Sequence, residues 1–369
     1  QGLRLVQDAL IQGEGFDIKD SDDADPSTGM GSADKTVRID VGHGWKNAVV
    51  YLNDIEKDTQ YASWPRSVKG MIQSMQYGMA PIVRRNMYTI LGVIDPVLDP
   101  DVAMFQLGMQ LMQNSYPARV GLLWVNQNDV DDCRAWIQAQ TALENGVPCP
   151  TPPIFASSPT NEELKSTKAT TQAAHRLLTH VAEEFEDEPQ VRLAFAEYTL
   201  STIVDHIQGS TEFSMKDLID TYSGMMQAMC LSELSAAKED ARNALMETTK
   251  TYGHALRFAA EKNLRPGMGF LNGRPVDGSD PNSISQAFGE EQQHIFGLIM
   301  TNEITDTAPK SVYAKLLSGD KVYEKVHPLL IASKDGEASN YVLLDHKFGS
   351  ESLLIPRSSD DPKALFVAE

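Results

Sequence analysis

Two uninterrupted apolar runs constrain this chain more than any other feature: Tyr88–Ile94 (YTILGVI), closed by Asp95-Pro96, and Arg119–Val125 (RVGLLWV). A run that is apolar at almost every position suits a strand covered on both faces, the environment of a parallel pair inside an α/β fold. Between them, Asp99-Pro100-Asp101 offers an N-cap with proline at the first helical position. A broad apolar face of Val102, Phe105, Leu107, Met109 and Met112 follows and ends by Asn114. Strand, helix and strand at this spacing predict a right-handed βαβ unit with parallel pairing.

From Thr160 to Asn263 the pattern changes: proline nearly vanishes and apolar residues recur at three- and four-residue steps. This predicts a helical subdomain of four helices, at about 161–186, 189–207, 215–234 and 236–263, separated by Glu188-Pro189, Gly209-Ser210 and a turn near Ser235. Next, MGFLNGRPV (268–276) sets Asn272-Gly273 between two short strands, the strongest short-range hairpin signal. A closing amphipathic helix is predicted over about 284–304, with Phe288, Ile295, Phe296, Ile299 and Met300 facing inward. The βαβ…ββα order defines the fold class expected here: α/β, thioredoxin-like, with a large all-helical insertion between its two halves.

Upstream, Thr36–Asp40 alternates like a strand and Ala48–Leu52 is a compact apolar run, so a small sheet is expected to begin there. Residues 17–34, rich in Asp, Gly, Ser and Pro, read as a loop with almost nothing apolar to bury, and residues 1–16 as a short helix needing a partner. The resulting divisions are 1–44 (helix and acidic loop), 45–159 (first half of the core), 160–263 (helical insertion), 264–330 (second half of the core) and 331–369 (an extension toward a further domain). With 369 residues and a 41% apolar share, core and insertion are expected as two lobes.

The 51 acidic against 32 basic side chains give a net charge of −19, which repels phosphate backbones and anionic lipid surfaces. Nucleic acid and membrane are therefore excluded as expected partners. No run approaches the roughly eighteen apolar residues of a membrane span. The chain opens on Gln1 with no signal-like segment, as a fragment or processed chain would.

A thioredoxin-type oxidoreductase needs a thiolate at the N-terminus of the helix after its first core strand, where the helix dipole and free amides lower its pKa. Here that position reads Asp95-Pro96-Val97-Leu98-Asp99-Pro100, so no exchange chemistry is expected and no catalytic residue is assigned. The cysteines, Cys133, Cys149 and Cys230, form no CxxC and no zinc-type spacing. Cys133 and Cys149 flank a Pro-rich connection and are either a small disulfide loop of an oxidising compartment or two separate thiols. Arg265-Pro266-Gly267 is either a cis turn near the expected site or an ordinary one.

Two Asp-x-Asp pairs, Asp23/Asp25 and Asp129/Asp131, carry the residue type that holds a divalent ion against a diphosphate, but no phosphate-facing basic groups or nucleoside pocket accompany them. An acidic loop leading into a helix is the preferred reading of Asp129/Asp131. His175 and His180 stand five apart, off a common helical face, and no metal site is expected. Methionine is abundant, with Met71, Met75 and Met79 at four-residue steps and a cluster at Met225, Met226 and Met229. Thioethers either fill cores or line surfaces that adapt to varied apolar partners; exposure decides which.

Four segments together resemble the UDP-glucose:glycoprotein glucosyltransferase family, and within it the third thioredoxin-like domain. They are NDIEKD (53–58) with Tyr61 and Trp64-Pro65, IVRRN (82–86) leading into the first core strand, RVGLLWV, and FLNGRP (270–275). The likeness spans about 45–330. It implies a lumenal protein of the endoplasmic reticulum that senses misfolded glycoproteins for reglucosylation. Transfer would be made by a separate C-terminal domain using UDP-glucose and a divalent cation, and nothing of that domain is visible here. By this resemblance the segment is not an enzyme and needs no cofactor of its own. Its partners are misfolded glycoproteins and neighbouring domains of the same chain, and Met225, Met226 and Met229 are the candidate client-contacting residues. The rival expectation is a spacer that positions its neighbours without touching clients.

Overall fold

A computed structural model describes residues 37–42, 48–71, 82–98, 102–140, 147–247, 250–277, 281–306, 311–323, 341–344 and 353–356. In chain order these hold β1 (Val37–Ile39), β2 (Val50–Tyr51), β3 (Tyr88–Ile94), α1 (Ala103–Gln113), β4 (Ala118–Trp124) and α2 (Gln127–Ala139). The insertion follows as α3 (Asn161–Ser166), α4 (Thr171–Glu184), α5 (Pro189–Gln208), α6 (Met215–Ala228), α7 (Leu234–Met246) and α8 (Thr251–Lys262). Then come β5 (Met268–Leu271), β6 (Arg274–Asp277), α9 (Pro281–Met300), α10 (Val312–Gly319), β7 (Lys321–Tyr323), β8 (Tyr341–Leu344) and β9 (Leu353–Pro356). The chain divides into two units, residues 1–40 with 317–369, and residues 41–316.

In the larger unit, a five-stranded sheet runs in the order β2-β4-β3-β5-β6. The two apolar runs are its central strands, paired in parallel from Tyr88↔Ala118 to Ile94↔Trp124 and joined by α1. Every residue of β3 is buried, as a strand covered on both faces requires. Gly108 lets α1 approach closely, because a Cβ there would stand 2.7 Å from Val120 Cγ2. On the other side of β3, β5 pairs antiparallel and turns into β6 at Asn272 (φ 50°) and Gly273 (φ 81°). Positive φ at both turn positions is the type I′ geometry that matches strand twist and selects Asn-Gly. Thioredoxin-like order is thus realised, with the helices of 161–262 inserted between βαβ and ββα.

Among its described residues the insertion holds six helices where four were expected. The first predicted helix breaks at Thr167–Thr170 because the backbone there pairs with 213–215 instead: Ala169 N–H donates to Phe213 O, and Met215 N–H to Thr167 O. Thr170 then caps α4 by accepting from the Ala173 amide. The last predicted helix divides between α7 and α8, where Glu247 is extended. Nor is the insertion a separate lobe. Val120, Leu122 and Trp124, alternate residues of β4, share one core with Leu177, Leu178, Phe195, Leu218 and Tyr222 of the helices. Each such buried side chain stabilises by roughly 1.5–3 kcal/mol, so sheet and insertion fold onto one another. A second core on Tyr88, Ile90 and Leu271 is closed by Ile284, Ala287, Ile295 and Ile299 of α9.

Two expectations on α1 and α9 need correction. The described helix α1 opens at Ala103 after Val102, without a side-chain cap, and Asp99–Asp101 lie outside the described residues. On α9, Met300 is 57% exposed, because the buried stripe runs 284, 287, 291, 295, 299 and includes the carboxyl-bearing Glu291. Residue 300 falls one step off that stripe.

The smaller unit contains β1, which pairs in parallel with β7, and the antiparallel hairpin of β8 with β9. A buried ion pair, Arg38 Nε to Asp320 Oδ2 at 2.6 Å, accompanies the first pair. The small sheet expected from 36–52 therefore does not form: β1 and β2 belong to different sheets. The predicted helix 1–16 and loop 17–34 lie outside the described residues, as does nearly all of 331–369.

Candidate functional site

The position that would carry catalysis in this fold is the turn after β3, and there the chain places a carboxylate. Asp95 is 3% exposed and accepts four hydrogen bonds. Its Oδ1 receives the amides of Val97 (3.1 Å) and Leu98 (3.2 Å) and the Thr171 hydroxyl (2.6 Å), while its Oδ2 receives Asn126 Nδ2 (2.7 Å). Asn126 in turn caps α2, its Oδ1 accepting from the amides of Asn128 and Asp129. One buried side chain thus joins the end of β3, the start of α2 and the start of α4. It occupies the turn as a structural clasp, with its lone pairs taken up by fixed donors.

Around this clasp lies a dense, partly polar layer. Tyr252 of α8 donates to Asp129 Oδ2 at 2.6 Å and accepts from the Asn126 amide at 3.3 Å. Burial, together with the Asp129 charge, pushes its phenol well above the usual range. His175 packs on Tyr252 with ring centroids 5.4 Å apart and is completely buried. That burial, reinforced by the Arg176 charge, brings the imidazole down to about 3 and keeps it neutral. Cys133 of α2 is bonded to Cys149 with Cα atoms 5.7 Å apart, and both residues are buried. The Cys149 segment runs so close to α8 that Cys149 N–H donates to Gly253 O, and a Cβ on Gly253 would stand 2.3 Å from Cys149 O. A shallow cleft remains beside it, lined by Asp129, Asp132, Trp136, Pro150, Pro152 and Gln172.

The motif segments at 53–58 and 82–86 form a second polar latch. Asn53 bridges the sheet by accepting from Val120 N–H (2.9 Å) and donating to Ala118 O (2.9 Å). Asn86 accepts from Ile55 N–H and donates to Asp54 Oδ1, and Arg85 donates to Thr305 O at 2.7 Å. Arg192 of α5 reaches Leu52 O (3.1 Å) and Asp58 Oδ1 (3.4 Å), tying the insertion to the same segment. These residues serve tertiary assembly, since their polar atoms are spent on backbone and on each other.

The sequence-derived candidates fare differently. Met225 and Met226 are 0% and 4% exposed and belong to the insertion core, and Met229 is half-buried against it. The trio is corrected to core packing: 225 and 226 fall on the inward stripe of α6 with Leu218, Ile219 and Tyr222. Of the four-step methionines, Met71 is buried, while Met75 and Met79 lie outside the described residues. Asp129 and Asp131 do not converge, because two steps along α2 rotate them apart. Asp129 meets Tyr252, whereas Asp131 pairs with Arg134 at 2.5 Å. Asp23 and Asp25 lie outside the described residues. Arg265-Pro266 is trans, no cis peptide occurring among the described residues, and Gly267 (φ 87°) donates to Val93 O. Free Cys230 is exposed at the end of α6.

One grouping escaped the reading of histidine spacing. His180 and Glu184, one turn apart on α4, converge with Asp240 of α7, their ligand-type atoms all within 4.8 Å of one another. The signal for half of it was present as an i,i+4 His–Glu pair; the third member comes from a different helix.

A parallel central pair, an antiparallel hairpin beside it and a helix on each flank define a thioredoxin-like protein. The match to the family described as a thioredoxin-like domain covers residues 16–330, and the chain belongs to that family. Its curated relatives include UDP-glucose:glycoprotein glucosyltransferases. It is 26% identical over 299 residues to that of Drosophila melanogaster, covering 79% of this chain and 16% of the relative. It is 28% identical over 96 residues to UDP-glucose:glycoprotein glucosyltransferase 1 of Mus musculus, 26% of this chain and 6% of the relative. Over 86 residues it is 34% identical to Killer toxin-resistance protein 5 of Saccharomyces cerevisiae, covering 22% and 6%. The chain therefore spans at most about a sixth of the length of these relatives.

Proposed function

We propose that this segment is a redox-inactive thioredoxin-like module of a folding-sensor glucosyltransferase, and that it helps the parent protein engage misfolded glycoproteins. The observation that carries the reading is the Asp95 clasp: the turn that would present a reactive thiolate is filled by a buried, four-bonded carboxylate. The disulfide Cys133–Cys149 is buried and joins α2 to the segment beside α8 rather than lying in the turn after β3, and its burial keeps it from ready thiol exchange. Lumenal residence in the endoplasmic reticulum is part of the proposal, supported by that disulfide, which suits an oxidising compartment. Among the described residues no helix is long and apolar enough to cross a membrane. In this reading the segment uses no nucleotide sugar, and UDP-glucose and its cation belong to another domain of the parent.

With Met225 and Met226 buried, this reading assigns client contact to other side chains. Side chains of the insertion that remain exposed and apolar are Tyr198 and Ile207 of α5, Leu231 in the α6–α7 turn, and Leu234 at the start of α7. In this reading these side chains contact the apolar segments that a misfolded client leaves outside its own core. The test is hydrogen exchange of the chain with a denatured glycoprotein and with its native form. Protection of α5 and of the α6–α7 turn by the denatured form alone is expected. Equal exchange throughout refutes client contact and leaves the role of a spacer between neighbouring domains. A parallel insulin-reduction assay is expected to stay at background; turnover would overturn the redox assignment.

A further inference from the structure

Outside the clasp, the three converging groups on the insertion have the composition and spacing of a metal centre. His180 Nε2 stands 3.1 Å from Asp240 Oδ2 and 3.3 Å from Glu184 Oε2. Ligands held at about 2.0–2.1 Å around a tetrahedral zinc ion are separated by about 1.6 times that distance, or roughly 3.3 Å. The two observed edges match this, and the carboxylate oxygens are close enough for side-chain rotation to close the third.

Two further observations point to a cation. First, among the described residues neither Glu184 nor Asp240 pairs with a lysine or arginine, while neighbouring basic groups are committed elsewhere. Lys216 and Lys238 pair with Asp220, and Arg176 with Glu247 and Glu183. Two carboxylates facing a single imidazole leave a local charge that a divalent ion neutralises. Second, Tyr222, buried in the core, hydrogen bonds to Asp240 Oδ2, the same oxygen that faces His180. A fixed outer partner of this kind orients a metal-binding carboxylate. The side chains of Glu184 and Asp240 are 47% and 39% exposed, which leaves an entry path and room for a water as fourth ligand.

We infer that His180, Glu184 and Asp240 bind one zinc ion, which clamps α4 to α7 within the helical insertion. One nitrogen and two carboxylate oxygens favour zinc over calcium, which takes six to eight oxygens, and over magnesium, which keeps most of its water. The site is independent of the Asp95 turn and of client contact, so its failure would leave the proposed function untouched.

The experiment is titration calorimetry of zinc chloride into the 369-residue chain after chelator treatment and dialysis at pH 7, with calcium and magnesium in parallel. One equivalent of zinc is expected to bind and raise the melting temperature, with no heat from calcium or magnesium. His180→Gln and Glu184→Gln are each expected to weaken binding at least tenfold, and the outer-partner change Tyr222→Phe about tenfold. Glu184 is half exposed, so Glu184→Gln keeps the test alive if another variant fails to fold by circular dichroism. Absence of zinc heat in the parent chain would overturn the inference and leave His180 simply hydrogen-bonded between Glu184 and Asp240. Unchanged affinity in Glu184→Gln, or equal binding of calcium, would overturn it as well.

Discussion

The buried imidazole of His175 makes the stability of this chain depend on pH in a calculable way. In the unfolded chain the ring titrates near its ordinary value of 6.5, whereas in the fold burial, and next the Arg176 charge, lower it to about 3, with the Trp124 backbone offsetting part of this. The folded state therefore binds fewer protons than the unfolded state between those values, and stability falls as pH drops through 6.5. Above pH 6.5 the contribution is fully present; from there to about pH 3 it is lost at up to about 1.4 kcal/mol per unit. From pH 7 to pH 5 the loss from this one residue is about 2 kcal/mol, a large share of a typical stability of roughly 5–15 kcal/mol. Neither ring nitrogen meets a partner within hydrogen-bond geometry, so an apolar replacement of similar size removes the titration and gives up only the weak contact with the Trp124 backbone. Urea unfolding of the parent chain and of His175→Leu at pH 7 and pH 5 measures it, because the carboxylates common to both cancel in the difference. The parent is expected to lose about 2 kcal/mol more than the variant. Parallel losses in the two proteins would refute the argument, since they would mean that the ring takes up its proton inside the fold.

Other substitutions test the clasp and its surroundings. Asp95→Ala strips four donors of their acceptor and is expected to cost about 3 kcal/mol in urea unfolding, with α4 losing hydrogen-exchange protection first. Replacing Cys133 and Cys149 together by serine opens a loop closed across 16 residues and is expected to cost about 3 kcal/mol, read as a lower urea midpoint that reductant no longer shifts. Gly253→Ala drives a Cβ into the Cys149 carbonyl and is expected to destabilise by about 1–3 kcal/mol, with a lowered melting temperature; an unchanged one would show that this approach relaxes freely.

Much of the architecture was legible before any coordinates. Runs without polar interruption announced β3 and β4, the Asn-Gly pair announced the β5–β6 turn, and helical periodicity announced the insertion, because each is a local pattern with a local physical cause. The absence of sulfur after β3 was equally a matter of reading residues. What local pattern does not carry is which partner a group meets. Ala169 and Met215 gave their amides to a neighbouring strand-like segment and cut a predicted helix in two. Met225 and Met226, indistinguishable in sequence from a sticky surface, went into the core because the sheet offered β4 for the helices to cover. Asp95 looked like an ordinary turn residue until Thr171 and Asn126 arrived from 76 and 31 positions away. Asp240 likewise joined His180 from another helix. Periodicity and turn chemistry act over a few residues, so the chain alone determines its elements and their order. Burial and convergence of charge depend on contacts between distant segments, and only the folded chain decides them.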